Sequence, residues 1–153
     1  MQKLSELLSN SQSVALNTKD ENGHPFSSYT SFYYDGEIIY VSLPSIVTHV
    51  GNLEYNPQAL ALFVEDASSN KRVLERCKTT LECEVRRIFS EDSKFNEIMP
   101  KFEEGAFGIL LGTQELILYA LTPSAGEVTF GLGDTYEVGG DKMNELVWEK
   151  KDK

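Results

Sequence analysis

Thr48 and His49 are the neighbouring residues of this chain whose types and position best suit chemistry. They stand within Ser42-Leu-Pro-Ser-Ile-Val-Thr-His-Val-Gly-Asn-Leu-Glu-Tyr-Asn-Pro57. This stretch predicts a helix from Ser45, a fair N-cap, to about Tyr55. Asn56-Pro57 ends it, because the residue before a proline disfavours the α region. On a 3.6-residue wheel Ile46, Val50 and Leu53 form the apolar face, and His49 lies at its border. The free N–H groups of Ile46, Val47 and Thr48 are expected to point out of the helix start, where a phosphate or carboxylate is attracted. Thr48 and His49 can add side-chain donors to the same anion. The spacing equally suits a short connector helix with a polar flank.

Other candidates lie on either side. Ser27-Ser-Tyr-Thr-Ser-Phe-Tyr-Tyr34 is rich in hydroxyls. In a strand it puts Ser27, Tyr29, Ser31 and Tyr33 on one face, and Ser28, Thr30, Phe32 and Tyr34 on the other. Buried hydroxyls need partners, so such a face bonds a polar ligand or a second subunit, or it faces water. Lys71, Arg72, Arg76 and Lys78 form the densest basic cluster, with Arg86 and Arg87 near in sequence. It either binds the anionic part of a ligand or pairs with Glu75, Glu82 and Glu84. His24 follows Asn-Gly and reads as an exposed turn residue. Cys77 and Cys83 are expected on one strand roughly 20 Å apart, too far for a disulfide, hence free thiols in a reducing compartment. No CxxC or HxxxH spacing occurs, so no metal site is predicted. Gly131-Leu-Gly133 lacks the spacing of a nucleotide loop and reads as a bend.

The elements that must position these residues are mostly strands. Lys3–Leu8 is a short helix. Asn22-Gly23 and Asp35-Gly36 mark hairpin turns joining strands Ser13–Lys19, Pro25–Tyr34 and Glu37–Ser42. Ala59–Glu65 is a near-continuous apolar run, read as a buried strand. Lys78–Phe89 alternates, with Leu81, Cys83 and Val85 inward. Ser90 caps a helix through about Phe102. Glu104–Gly112 fits either a helical turn or a loop. Glu115–Leu121 is a strand, Pro123-Ser-Ala-Gly126 a turn, and Glu127–Phe130 and Asp134–Val138 two short strands. In the last fifteen residues Trp148 is the large anchor. Seven or so strands in hairpin order with three helices predict a mainly β protein, a closed antiparallel β-barrel with peripheral helices.

The 153 residues fit one domain, with a core at about 13–138 and a tail at 139–153. A net charge of -10 argues against nucleic acid and anionic membranes as partners. The N-terminus has no signal-peptide run, and no span of 18 apolar residues occurs, which predicts a cytoplasmic protein.

The ordered segments Ala15–Pro25, Ser28-Tyr29, Tyr40–Ser42, His49–Leu53 and Asn56-Pro57 resemble the pyridoxamine 5′-phosphate oxidase-like superfamily, whose fold is the FMN-binding split barrel. Leu121–Gly126 and Phe130–Tyr136 resemble its haem-utilisation branch of HugZ/HutZ type. The resemblance covers about Ser13–Val138. It implies an antiparallel split barrel that forms a homodimer, with cofactor sites at the interface. Ser28, Tyr29, Thr30, Val41, Ser42 and Ser45 would line the cofactor, with Thr48 and His49 at the helix start and Arg76 from the basic cluster. An Arg-Lys pair that grips the flavin phosphate in flavin enzymes falls on Thr48 and His49, so this basic pair is missing. The haem branch commonly takes its axial ligand from a histidine in the tail, and this tail has none; His49, a tyrosine or Met143 would have to substitute. The C-terminal substrate segment of the oxidase is unmatched. The resemblance thus implies a haem-utilisation protein supporting haem degradation or iron release. Its alternatives are an FMN-dependent oxidoreductase and a non-catalytic binding or storage module. The cofactor, haem or FMN, stays open at this point.

Overall fold

The computed structural model describes residues 3–66, 72–102 and 115–150. In chain order they form α1 (Leu4–Leu8), β1 (Ser13–Lys19), β2 (Pro25–Ser31), β3 (Tyr33–Tyr34), β4 (Ile39–Pro44), α2 (Thr48–Tyr55) and β5 (Gln58–Val64). After a 3-10 turn follow β6 (Lys78–Ile88), α3 (Ser93–Ile98), β7 (Leu116–Phe130), β8 (Asp134–Gly139) and β9 (Glu145–Lys150).

The hairpin order comes from local turn chemistry. Asp20 Oδ1 accepts from the N–H groups of Asn22 and His24, and Gly23 turns the chain at φ 83°. Asp35 Oδ1 likewise accepts from Glu37 and Ile38, with Gly36 at φ 100°. Both glycines occupy backbone positions that are costly for side-chain-bearing residues.

The strands join antiparallel in the order β2-β1-β5-β6-β7-β4-β3, with β8 on β7 and β9 on β8. The architecture is the expected mainly β split barrel, but the ring is not closed by hydrogen bonds. β2 and β3 end the path at opposite edges, yet Phe32 alone separates them in sequence. The sheet must therefore curl until its two edges approach one another. Its concave side holds the core of Val14, Leu16, Val41, Ala61, Phe63, Leu81, Leu121 and Val128, all sealed from solvent. A second cluster of Tyr40, Ile88, Ile98, Phe102 and Leu118 packs beneath α3. Among the described residues no helix is long and apolar enough to cross a membrane.

Several expected boundaries move. The Pro123–Gly126 stretch is not a turn: β7 runs unbroken for 15 residues. The proline sits opposite Cys83 where the β6–β7 register shifts, a bulge that tolerates a missing N–H. Gly126 is required there, because a Cβ would lie 2.7 Å from Thr80 O and 2.5 Å from Leu81 Cδ2. Asp92, not Ser90, caps α3, its carboxylate accepting from Lys94 N. The tail adds a strand, and its anchor is Leu146 at 8% exposure, whereas Trp148 is 61% exposed. The 104–112 stretch lies outside the described residues.

Candidate functional site

The helix that carries Thr48 and His49 starts at Thr48, two residues later than an N-cap at Ser45 predicts. Ser45 N–H donates to Glu115 O on the approach to β7, and Val47 N–H donates to Pro44 O. These bonds spend Ser45 on a turn, leave Ile46 84% exposed, and make Val47 the N-cap without a side-chain bond. Val50 N–H already donates to Val47 O. The open donors within the helix start are thus the backbone N–H groups of Thr48 and His49; Ile46 precedes the helix, and the Val47 N–H is spent on Pro44 O.

His49 turns inward. Its ring is 0% exposed. Nδ1 lies 2.7 Å from Thr18 Oγ1 on β1, and Nε2 lies 2.8 Å from Ser28 Oγ on β2. Phe26 of β2 meets the ring edge-on at a centroid distance of 4.9 Å. Thr18 Oγ1 also accepts from Asn52 Nδ2 at 3.0 Å. A hydroxyl that already accepts from an amide can give its own proton to Nδ1, which leaves Nε2–H to donate to Ser28. Burial holds the imidazole below its ordinary pKa, and no charged neighbour contributes. Both ring nitrogens are therefore committed within the chain, and the side chain fastens α2 to β1 and β2.

Thr18, Asn52 and Phe26 complete this junction and lie outside the sequence-predicted set. Two signals point to the first pair. Thr18 continues the inward positions of Val14 and Leu16 with a polar residue, and Asn52 is three residues after His49 on the same helix side.

The remaining candidates scatter. Thr48 is exposed at the helix start and Ser45 is half-buried. Thr30 lies opposite Val14, on the Ser28 face. Tyr29, 76% exposed, is on the other face. Val41 and Ser42 lie in the interior, at 0% and 1% exposure. Among the described residues the Ser42 hydroxyl is a buried hydroxyl without a hydrogen-bond partner, as are those of Ser31, Tyr34 and Tyr119. Arg76 precedes β6, whose first residue pairs with Val64, while Thr18 follows Asn17, which pairs with Leu60. Strand rise puts Arg76 roughly 20 Å along the sheet from His49 within one chain. The basic cluster is largely tied at the surface. Arg72 pairs with Glu75, Arg86 with Asp92, and Arg87 lies over the Phe89 ring. Lys78 Nζ donates to the carbonyls of Leu74 and Arg76. Lys71 lies outside the described residues.

The convex face of the sheet carries continuous rows of side chains. Cross-strand partners share a face. One row therefore runs Tyr29, Ala15, Leu62, Thr80, Glu127, Glu137 and Trp148 across β2, β1, β5, β6, β7, β8 and β9. The next runs Ser27, Asn17, Leu60, Glu82 and Ala125. Leu60, Leu62 and Val64 make the convex side of β5 apolar although the concave side already holds Ala59, Ala61 and Phe63. The run expected to be buried on both faces is thus covered on one, and Leu60 is 40% exposed. Two grooves, of about 600 and 440 Å³, meet on this face at Leu60, Glu82 and Ser124.

Cys83 is buried, its thiol pushed up to about 12 by burial and Glu84, and Cys77 is half-buried; both are reduced. Among the described residues no cluster of three or more His, Cys, Asp or Glu side chains can hold a metal ion.

An antiparallel split barrel with a short helix after its fourth strand defines the class of flavin- and haem-associated split-barrel proteins. The pyridoxamine 5′-phosphate oxidase family model matches residues 1–121, and the chain belongs to this family. It is 26% identical over 148 residues to the haem oxygenase HutZ of Vibrio cholerae, covering 95% of this chain and 84% of that protein. The crystal structure of V. cholerae HutZ, described as a haem storage protein, superposes with a TM-score of 0.70 at 26% identity, over 84% of this chain and 94% of the other. Campylobacter jejuni ChuZ shares the fold with a TM-score of 0.79 at 23% identity, over 98% of this chain and 63% of that one. An FMN-binding protein of Nostoc punctiforme related to pyridoxamine 5′-phosphate oxidase does so at 0.66 and 12%, over 97% and 92%.

FMN fits this site poorly. Thr48 carries no charge, the His49 ring faces the core, and an incoming phosphate meets two backbone N–H groups and one hydroxyl. Two absent charge-assisted bonds correspond to about 1.5–3 kcal/mol each.

Proposed function

We propose that this chain is a haem-utilisation protein that binds haem in a cleft between two copies of itself. The observation that carries the reading is the apolar convex side of β5. Leu60, Leu62 and Val64 repeat, on the outside, the apolar pattern of a strand covered on both faces. A second copy is the occupant that this pattern suits, and the grooves beside it, where Leu60 stands among polar side chains, would become a cleft at the edge of that interface.

A two-fold axis lying across the strands, between two facing sheets, reverses the strand ends. It sets Leu60 of one copy near Leu62 of the other, and Lys78 near Glu84. The same operation carries Arg76 of the second copy to the α2 end of the first, so the basic residue that one chain holds far from Thr48 joins it across the interface. Thr48, Ser45 and Arg76 would then hold an anionic edge such as a propionate. Tyr29 and the convex side of β2 would line the macrocycle. Ser28, Thr30, Val41 and Ser42 support those walls from behind, and His49 fixes the helix. Haem supplies a redox-active iron when bound; the protein residues bind, orient and exclude water. The relative described as a haem oxygenase and as a haem storage protein supports the class of ligand, and such a cleft would suit either degradation or holding.

Retention on a desalting column tests the choice of cofactor. Protein mixed with equal haemin and FMN is expected to emerge with a shifted Soret band near stoichiometric amount and without flavin absorbance. Flavin retained in place of haem would overturn the reading.

A further inference from the structure

The chain has eight asparagines, and Asn22 alone is followed by glycine. Glycine has no side chain to shield its backbone nitrogen, so an asparagine in front of it can react with its own chain. From the geometry of the first hairpin we infer that Asn22 is a self-modification site, converted to isoaspartate and aspartate by attack of the Gly23 nitrogen, and that the Asp20 turn holds this reaction back in the folded protein. The reaction does not depend on haem.

It needs only water and a proton acceptor from solvent. The Gly23 nitrogen bonds to Asn22 Cγ as its proton passes to water or hydroxide. The side-chain nitrogen takes up a proton and leaves as ammonia, and a five-membered succinimide remains. Water then opens the ring at either carbonyl. Attack at Cγ restores the ordinary backbone, with aspartate in place of asparagine. Attack at the main-chain carbonyl leaves the chain running through Cβ and Cγ, as isoaspartate. One water enters, one ammonia leaves, and no electrons are transferred.

The fold supplies both access and restraint. Asn22 and Gly23 are exposed at the β1–β2 tip, so solvent reaches the reacting atoms. The Gly23 N–H, however, donates to Asp20 O at 3.0 Å, the bond that closes a β-turn. Asp20 Oδ1 accepts from the N–H groups of Asn22 at 2.8 Å and His24 at 2.9 Å, and Asp20 N–H donates to His24 O. The proton that must leave Gly23 is therefore bound, and the peptide groups on both sides of Asn22 are held. Closing the ring requires the Asn22–Gly23 peptide to rotate out of the turn. The bond from the His24 N–H, joined by that from Asn22, holds the Asp20 carboxyl below its ordinary pKa, so this acceptor is ionised at neutral pH.

The product reaches beyond the tip. Isoaspartate adds a backbone carbon between the two N–H groups that Asp20 Oδ1 binds, so one carboxylate oxygen no longer spans both. The next rungs of the hairpin are Lys19 opposite Pro25 and Thr18 opposite Phe26. Thr18 and Phe26 both contact the His49 ring, so a loosened tip weakens the junction that fastens α2.

The test follows Asn22 in the full chain by peptide mapping and mass spectrometry at mildly alkaline pH. Protein unfolded in urea is expected to convert Asn22 to isoaspartate and aspartate, and folded wild type to do so about tenfold more slowly or less. Asp20→Ala, checked for folding by circular dichroism, should react near the unfolded rate. Asp20→Asn, whose amide oxygen still accepts from both N–H groups, should stay close to wild type. The Gly23 amide proton of folded wild type should be protected from exchange by a similar factor, a readout that needs no variant. The isolated isoaspartate form should melt at a lower temperature than unreacted protein. No conversion at Asn22 in the unfolded chain would overturn the site. Folded wild type reacting as fast as the unfolded chain, an unprotected Gly23 amide, or a folded D20A no faster than wild type would overturn the restraint. An unchanged melting temperature of the isoaspartate form would overturn the effect on the hairpin.

Discussion

Replacing Thr18 by valine removes one oxygen and keeps the shape of the side chain. That oxygen serves two partners, His49 Nδ1 at 2.7 Å and Asn52 Nδ2 at 3.0 Å. Thr18 is 2% exposed, His49 0% and Asn52 6%, so water cannot replace it without opening the junction. A buried polar group left without its partner costs about 1–3 kcal/mol. Two such groups, partly relieved by rotation of the Asn52 amide, put the loss at about 2–4 kcal/mol. Natural domains hold about 5–15 kcal/mol in total, so the change is large. For a chain of this size each kcal/mol moves Tm by about 2–4 °C, which predicts a fall of about 5–15 °C. Urea denaturation of T18V, N52A and the double variant gives the coupling directly. The two side chains share one bond, so their losses should fall short of additivity by about 0.5–1.5 kcal/mol. A T18V loss below about 0.5 kcal/mol, or additive losses, would refute the view that this network fastens α2 to the barrel.

Three further outcomes follow from particular contacts. Gly126→Ala should destabilise by about 1–3 kcal/mol in thermal denaturation, because its Cβ would press on Thr80 O and the Leu81 side chain in a paired strand. Thr48→Arg should raise FMN or phosphate affinity about tenfold by equilibrium dialysis, since it restores one charge-assisted bond at an exposed helix start. His49 carries a folded-state pKa below its unfolded value of about 6.5, so it contributes stability above that pH. That contribution is lost as pH falls from about 6.5 toward the folded value, with a slope of at most about 1.4 kcal/mol per pH unit. Urea midpoints of wild type and His49→Gln between pH 8 and 5 check this, the variant giving the flatter curve.

Local signals carried much of the fold. Asn22-Gly23 and Asp35-Gly36 placed two hairpins because their geometry depends on residues within four positions. The strand Ser13–Lys19 was legible in full, from its alternation and its flanking turn. The start of α2 was not, because the bond that takes Ser45 out of the helix comes from Glu115, seventy residues on. Pro123 and Gly126 have the composition of a turn, and they sit within a strand because β7 bulges at Ser124, between the residues that pair with Glu82 and Cys83 of β6. The doubly apolar run in β5 was visible as composition, but its meaning depended on register. Only the row joining Tyr29, Leu62 and Trp148 reveals that one side of the strand faces outward. At the candidate site the helix wheel put His49 at the border of the apolar face. The partners that draw it inside, Thr18 and Ser28, sit on separate strands.

The claim of a haem cleft between two copies is tested most directly by sedimentation velocity with one equivalent of haemin, followed at 280 nm and in the Soret band. Wild type should sediment as a dimer at micromolar concentration, with the Soret absorbance moving at the dimer rate. Leu62→Asp, which puts a charge in the middle of the apolar convex face, should sediment as a folded monomer and leave the haemin behind. Soret absorbance that travels with a monomer, in the wild type or the variant, would contradict the account.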